Sequence, residues 1–216
     1  PLILDFNNKN KFEYAGAAGG FIDKFGYPFC RGRIFSNIES NIGQYDNSID
    51  IFWASGACMF VNNRCWKSLK GFDEDFFMHQ EEIDFCWRAK NLNKSVMCIS
   101  KSKVYHLGSG SKLSSNYKIY LNHRNSLLTL VKNVDTVNLP IILITRSCFE
   151  FITIFFYIFK GEMTKSLMII KGYFKFIYLF NKFYKKRKDR FLIKYYRRVS
   201  IIFDSYVFGK NKFSEF

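Results

Sequence analysis

Several common patterns are missing from this chain. The six cysteines, at positions 30, 58, 65, 86, 98 and 148, form no Cys-x-x-Cys pair and no disulfide-like cadence, and no signal peptide precedes them. This argues against a disulfide scaffold and against a zinc site, and a reduced, cytosolic setting is expected. No internal repeat emerges. Acidic residues are scarce: 18 Asp and Glu stand against 33 Lys and Arg, for a formal charge of +15. An initiating Met is also absent. Pro1 followed by Leu2, Ile3 and Leu4 reads like the middle of a gene product, so further sequence is expected upstream.

What is present points to a folded protein. With 216 residues there is enough chain for one good core, or for one domain and an appendage. The 26 Phe and 13 Tyr set it apart from disordered basic chains, which are poor in aromatics. The charge calls for an anionic partner, and nucleic acid, nucleotide phosphates and acidic lipid headgroups all answer to it.

Three zones differ in composition. Residues 1 to 50 are rich in Gly, Asn and aromatics around "EYAGAAGGFIDKFGYPFCRGRIF". These glycines and Pro28 predict a long loop with little regular structure, of the kind that serves as a binding element or lid. From 51 to 135 the pattern is α/β. "IFWASGACMFV" suits a buried strand, "NNRCWKSLKGF" a helical turn ending at Gly71, and "EEIDFCWRAKNLN" a helix. "KSVMCISKSKVYHL" supplies two short strands, "GSGSKLSS" a flexible turn and "NYKIYLNHRNSLLTLVKNV" another helix, an order that fits a layered sheet with helices on it.

Beyond Pro140, "PIILITRSCFEFITIFFYIF" is apolar enough to suggest a membrane, but Arg146 and Glu150 sit in its middle. Because charge at a bilayer centre is expensive, a helix lying on the bilayer or packed on the domain is expected rather than a span. The tail then carries Lys182, Lys185, Lys186, Arg187, Lys188, Arg190, Lys194, Arg197 and Arg198 among Phe, Tyr and Ile, which suits an anionic membrane. Two parts are expected: an α/β domain over 1–135 and a basic amphipathic helical tail over 136–216.

The acidic cluster in "FFMHQEEIDFCWRA" stands out in so basic a chain. On a helix Glu81 and Asp84 share a face, while Glu82 points about a third of a turn away. First-turn acids are favoured by the helix dipole, and Asp84 is spaced to pair with Arg88 at i,i+4. Glu82 follows a run of bulky aromatics, where a carboxylate held in a cleft can act as a base.

"FWASGACMFVNNRCW", "GFDEDFFMHQEEIDFCWRAKN", "SKVYHLGSGS" and "NHRNSLLTLVKN" together resemble the second half of family 2 glycosyltransferases, which have the GT-A fold. Within that family the chain looks closest to rhamnosyltransferase-like enzymes of bacterial surface polysaccharide synthesis. The resemblance is specific between 50 and 135, weaker before it, and carries no motif after 140. It implies the acceptor half of an inverting transferase that moves a sugar from a nucleotide-diphosphate donor to a glycan or lipid-linked acceptor, with the nucleotide-binding half and its Asp-x-Asp upstream. The "DED" of Asp73 to Asp75 follows the Ser-Gly-Ala strand, where the family has its acceptor loop, and is expected to fix that loop.

The resemblance also implies roles for individual residues. The second member of the acidic pair, usually Asp, is the family's general base, and here it is Glu82, with Glu81 and Asp84 behind it. His106 matches a histidine that helps hold the divalent metal in several relatives, Mn²⁺ suiting an imidazole better than Mg²⁺. Trp53, Ser55 and Gly56 match the acceptor side, where an aromatic face stacks on a sugar; a core tryptophan is the competing reading. Arg124, in an Arg-Asn motif, and Arg31 and Arg33 in the Gly-rich stretch are candidates to meet the diphosphate. The expected setting is cytoplasmic and peripheral at the inner face of the membrane, with no nucleic acid as partner. A non-catalytic basic module for membrane or nucleic acid, and a degenerate transferase kept for assembly, are the alternatives.

Overall fold

The computed structural model describes residues 1–108, 113–188 and 191–216. Strand β1 (Leu2–Asp5) pairs in parallel with β8 (Lys103–His106), which sets Asp5 opposite His106. Leu2, Ile3 and Leu4 are all buried, as both faces of a covered parallel pair require.

The zone expected to be loop instead holds a four-stranded antiparallel meander: β2 (Gly20–Ile22), β3 (Pro28–Cys30), β4 (Arg33–Ile34) and β5 (Asn37–Ile38). Each strand is too short for alternation to register. The glycines that suggested a loop are the turns between them, with Gly26 at φ 83° and Gly32 at φ 98°. "IFWASGACMFV" likewise departs from its expectation. The ladder lies just before it: β6 (Ile49–Asp50) pairs antiparallel with β7 (Met97–Cys98), while Ile51 to Trp53 are buried and held by single backbone hydrogen bonds to Val96 and Gly20, with one antiparallel bridge between Trp53 and Gly20. Among the described residues the strands form three small sheets.

The helices fall close to their expected places. In α1 (Asn63–Leu69) the Asn62 side chain caps Arg64 and Cys65, and Lys70 closes the end in the left-handed region. A short 3-10 turn (Glu74–Phe76) precedes α2 (Glu81–Asn91), and α3 (Ser115–Asn133) starts on the Ser114 cap. Residues 109–112 of the turn read in "GSGSKLSS" lie outside the described residues.

Two long helices follow, α4 (Leu139–Phe159) and α5 (Met163–Tyr184). α5 packs along α3, and the approach is close: a Cβ at Gly172 would lie 3.0 Å from the Tyr120 carbonyl oxygen. The core does not stop at 135. Leu139, Ile142, Tyr195, Ile201 and Phe213 are buried with Phe21, Phe29 and Tyr45 in one cluster, so the chain's end returns to the meander.

This return corrects the reading of the tail's positive charge. Lys182 pairs with Asp75 at 2.6 Å, Lys186 with Asp73 at 2.7 Å and Asp75 at 2.5 Å, and Arg198 with Asp204 at 2.8 Å. Arg187 donates to the carbonyls of Val131 and Val134, among those that the end of α3 leaves free, and Arg197 lies 5.0 Å from the Phe21 and Phe213 rings. Lys185, Lys188 and Lys194 remain exposed, and Arg190 lies outside the described residues.

Candidate active site

The site is built around the start of α2. Phe77, His79 and Gln80 have φ of 66°, 67° and 75°, a left-handed conformation that carries a cost of roughly 1–3 kcal/mol for each non-glycine residue. Such a loop persists only where its surroundings impose it. Here the clamp is the Arg-Asn pair of α3. Asn125 Nδ2 lies 2.9 Å from the Phe76 carbonyl and 2.8 Å from those of Met78 and His79. Arg124 Nη2 donates to the Phe76 carbonyl at 2.8 Å, and its Nε orients Asn125 through Oδ1 at 2.7 Å. Arg124 is thereby occupied in holding the loop and does not reach out as a free phosphate ligand; it is 7 % exposed.

Four consecutive residues, His79 and Gln80 of this loop and Glu81 and Glu82 of the first turn of α2, each carry a buried polar atom with no hydrogen-bond partner among the described residues. Buried polar groups are nearly always paired, so such a run calls for water or a polar ligand. Burial, and secondarily the charge on Glu81, push the Glu82 carboxyl up to about 7. Burial also raises Glu81, and the His79 imidazole is lowered by burial and then by Lys118.

Asp84 has a different task. It is fully buried, with Oδ2 accepting from Arg88 Nε at 2.7 Å and Lys132 Nζ at 3.0 Å, and Oδ1 accepting from Asn133 at 2.9 Å. Arg88 in turn donates to the carbonyls of Leu69 and Gly71, locking the end of α1 to α2. Asp84 is therefore a structural anion and not a third candidate base. Asp73 caps Asp75 N at 3.2 Å and binds Lys132 and Lys186, as expected of a loop-fixing residue. Burial alone would raise its pKa, but hydrogen bonds from the two lysines outweigh it and hold the group at about 2.

His106, at the end of β8, has Nδ1 3.2 Å from Glu13 Oε2 but not aligned for a hydrogen bond, and this nitrogen has no other partner among the described residues. The Cys30 thiol pKa is raised by burial, against which Arg33 acts, and the charges of Glu82 and Glu13 add to the rise. Arg33 donates to Cys30 Sγ at 3.4 Å, lies 4.3 Å from the Tyr14 ring and keeps a buried, unpartnered Nε among the described residues. Arg33 with Cys30, and Glu13 with His106, are thus joined by direct contacts, and the charge of Glu82 reaches Cys30 through space. Among the described residues no group of three His, Cys, Asp or Glu side chains converges to hold a metal. An imidazole nitrogen without a partner beside a carboxylate fits two positions of a Mn²⁺ shell, with the rest to come from elsewhere.

The other candidates are occupied differently. Arg31 is buried, donating to the carbonyls of Ala18, Tyr45 and Asn47 and to Asn47 Oδ1. Trp53 is a core residue: its ring covers Gly20, where a Cβ would fall 2.1 Å from Cε2, and its Nε1 donates to the Phe21 carbonyl at 2.9 Å. No face is open to a sugar. Ser55 is buried and accepts from Ala57 N, whereas Gly56 borders open space beside a hollow of about 330 Å³ lined by Met59, Trp66 and Phe72. A larger cavity of about 970 Å³, bordered by Ile3, Ile51, Phe85 and Cys98, is not lined by Glu82, Arg33 or His106.

Sequence reasoning missed His79, Gln80, Asn125, Glu13 and Cys30. Asn125 was legible as half of the Arg-Asn motif, but Glu13 meets His106 only through the β1–β8 pairing.

Comparison with known proteins finds one similarity of note. The chain is 27 % identical over 119 residues to the low-salt glycan biosynthesis hexosyltransferase Agl10 of Haloferax volcanii, an overlap of 51 % of this chain and 39 % of that protein. The chain thus matches well under half the length of this relative. No family model and no solved structure matches.

Proposed function

We propose that this chain is the acceptor-side part of a glycosyltransferase that moves a sugar from a nucleotide-diphosphate donor to a hydroxyl of a glycan or lipid-linked acceptor. In the finer form of the proposal it is a family 2, GT-A-type, rhamnosyltransferase-like enzyme that inverts the anomeric centre. The relationship to a hexosyltransferase supports the class. One observation carries the site: the left-handed pair His79 and Gln80 and the first helical residues Glu81 and Glu82 present four unpartnered buried polar atoms among the described residues, one on a carboxyl poised at about 7.

Glu82 takes the proton of the acceptor hydroxyl as its oxygen bonds to the anomeric carbon and the bond from that carbon to the diphosphate breaks. A pKa near 7 suits a general base, being high enough to accept a proton and low enough to leave about half of the group ionised in neutral solution. Asn125 and Arg124 hold the loop that aims it. Arg33 offers a buried donor toward anionic oxygen. A divalent cation, held in part by His106 and Glu13, would neutralise charge growing on the leaving diphosphate.

The rival, a non-catalytic basic module, is weakened because Lys182, Lys186, Arg187 and Arg198 are engaged within the protein. Assay of the complete gene product with a panel of nucleotide-diphosphate sugars and Mn²⁺ tests the reading. Sugar-dependent turnover that Glu82→Gln abolishes is expected. Turnover that survives the substitution refutes the base assignment, and a steep salt-dependent affinity for any duplex without turnover favours the rival.

A further inference from the structure

α4 is built inside out. Its charged residues, Arg146 and Glu150, are 3 % and 2 % exposed and face the protein. Arg146 donates to Glu150 Oε1 at 3.0 Å and Ser126 Oγ at 2.9 Å and stacks 3.4 Å from the Tyr27 ring centre, while Glu150 also meets His123. The opposite face carries Ile141, Ile144, Phe151, Ile152, Phe155 and Phe159, all exposed, Phe159 at 87 %. A water-facing helix shows the reverse arrangement. The Ser and Thr hydroxyls of α4 at 145, 147 and 153 are turned inward on the helix: Thr145, Ser147 and Thr153 donate to the carbonyls four residues back.

α5 continues this surface and supplies its border. Met163, Leu167, Phe174 and Ile177 recur at helical spacing on one exposed stripe, and Lys171 and Lys175 lie on the adjacent stripe, both exposed. Lys160 stands exposed at the turn between the helices, 4.4 Å from the Phe156 ring. Between α4 and α5 an apolar groove of about 440 Å³, lined by Leu143, Phe151, Tyr173, Phe176 and Phe180, opens on the same side. An apolar stripe edged by long cationic side chains is the arrangement of a helix lying in the plane of an anionic bilayer, the lysines reaching headgroup phosphates while the apolar side chains enter the acyl region. A crossing orientation is disfavoured, because α4 keeps its polar face on the protein and packs on α3 and α5.

We infer that the outer face of the α4–α5 hairpin, rather than the basic segment 182–198, is a docking surface for an anionic lipid bilayer, lying flat on it with the side chains of Ile152, Phe155 and Phe159 inserted. The net charge of +15 supplies the long-range attraction and the apolar face the retention. This inference does not depend on the transferase reading, and its test uses no sugar nucleotide.

The test is flotation of the complete gene product with vesicles of one part phosphatidylglycerol to three parts phosphatidylcholine, and with phosphatidylcholine alone. Wild type is expected to float with the anionic vesicles. Ile152→Glu with Phe155→Glu, at exposed positions that leave the core intact, is expected to lower the partition by more than about tenfold with an unchanged melting temperature. Lys171→Glu with Lys175→Glu is expected to reduce partition to the anionic vesicles only. Unchanged flotation of the Ile152/Phe155 variant overturns the inference. So does a wild type that stays at the bottom of the gradient as a dimer which those substitutions dissociate, because the face is then covered by a second copy.

Discussion

Glu82→Gln tests stability and chemistry in one protein. The substitution keeps the shape of the side chain and removes its charge. In the folded state the carboxyl is raised from 4.5 to about 7 by burial and by Glu81, so ionising it in place is costly. For a group whose folded pKa lies above its unfolded value, the stability it contributes is fully present below 4.5 and is lost as pH rises through about 7. At roughly 1.4 kcal/mol per pH unit, the loss by pH 8 is on the order of 3 kcal/mol. Glutamine has no such loss. The variant is therefore expected to match wild type near pH 5 and to exceed it at pH 8 by up to ~3 kcal/mol, or about 6–12 °C in melting temperature for a chain of this size. Transfer should meanwhile fall by roughly 10²–10⁴-fold, the usual contribution of a general base. The rising limb of the wild-type pH–rate profile, expected near 7, should vanish. Melting curves at the two pH values and initial-rate assays on the complete gene product supply the measurements. A variant with no stability gain at pH 8 and an unaltered pH limb would show that the carboxyl is neither strained by burial nor used as a base.

Three further outcomes follow from the same contacts. Asn125→Ala removes the amide that holds the carbonyls of Phe76, Met78 and His79, so it should cost on the order of 2–3 kcal/mol in chemical denaturation and depress turnover far more than donor affinity; equal loss of both would place Asn125 elsewhere in the mechanism. Asp73, depressed from 3.8 to about 2, contributes stability above 3.8 that is lost as pH falls through about 2, so Asp73→Asn should lower stability by about 2 kcal/mol at pH 6 and the gap should close toward pH 2 in acid melts. Gly20→Ala sets a methyl group 2.1 Å from the Trp53 ring and should destabilise by at least ~2 kcal/mol, whereas Gly56→Ala, with nothing within 4 Å, should melt like wild type.

Helices were the legible part of this chain. The acids of "EEID" with the helix dipole, and the apolar period of "EEIDFCWRAKNLN", announce α2 through signals local in sequence. The meander from Gly20 to Ile38 was not legible, because strands of two or three residues are fixed by partners and not by their own pattern. The tail misled for a related reason. A lysine read from sequence is a solvated cation, but Lys182 and Lys186 lie against Asp73 and Asp75, more than a hundred positions away, and only the packing of α5 on α3 brings them there. Glu82 was readable as a candidate because an acid after aromatics is unusual. The Glu13–His106 and Arg33–Cys30 contacts were not, since they form through the β1–β8 pairing and the β3–β4 turn. Trp53 shows the limit of an aromatic signal, for the same residue type serves a sugar platform or a core, and Gly20 decides between them.

The lysines at the end of α5 have one more effect. A helix of 22 residues is a stiff rod about 33 Å long, and this one is bolted at its far end, by Lys182 and Lys186, to the turn that leads into the acidic loop. The rod and the loop cannot tilt independently while those bolts hold. Whatever plane the hairpin rests on, the turn that leads to Glu82 keeps a fixed height and heading over it, as a lathe tool keeps its angle to the bed.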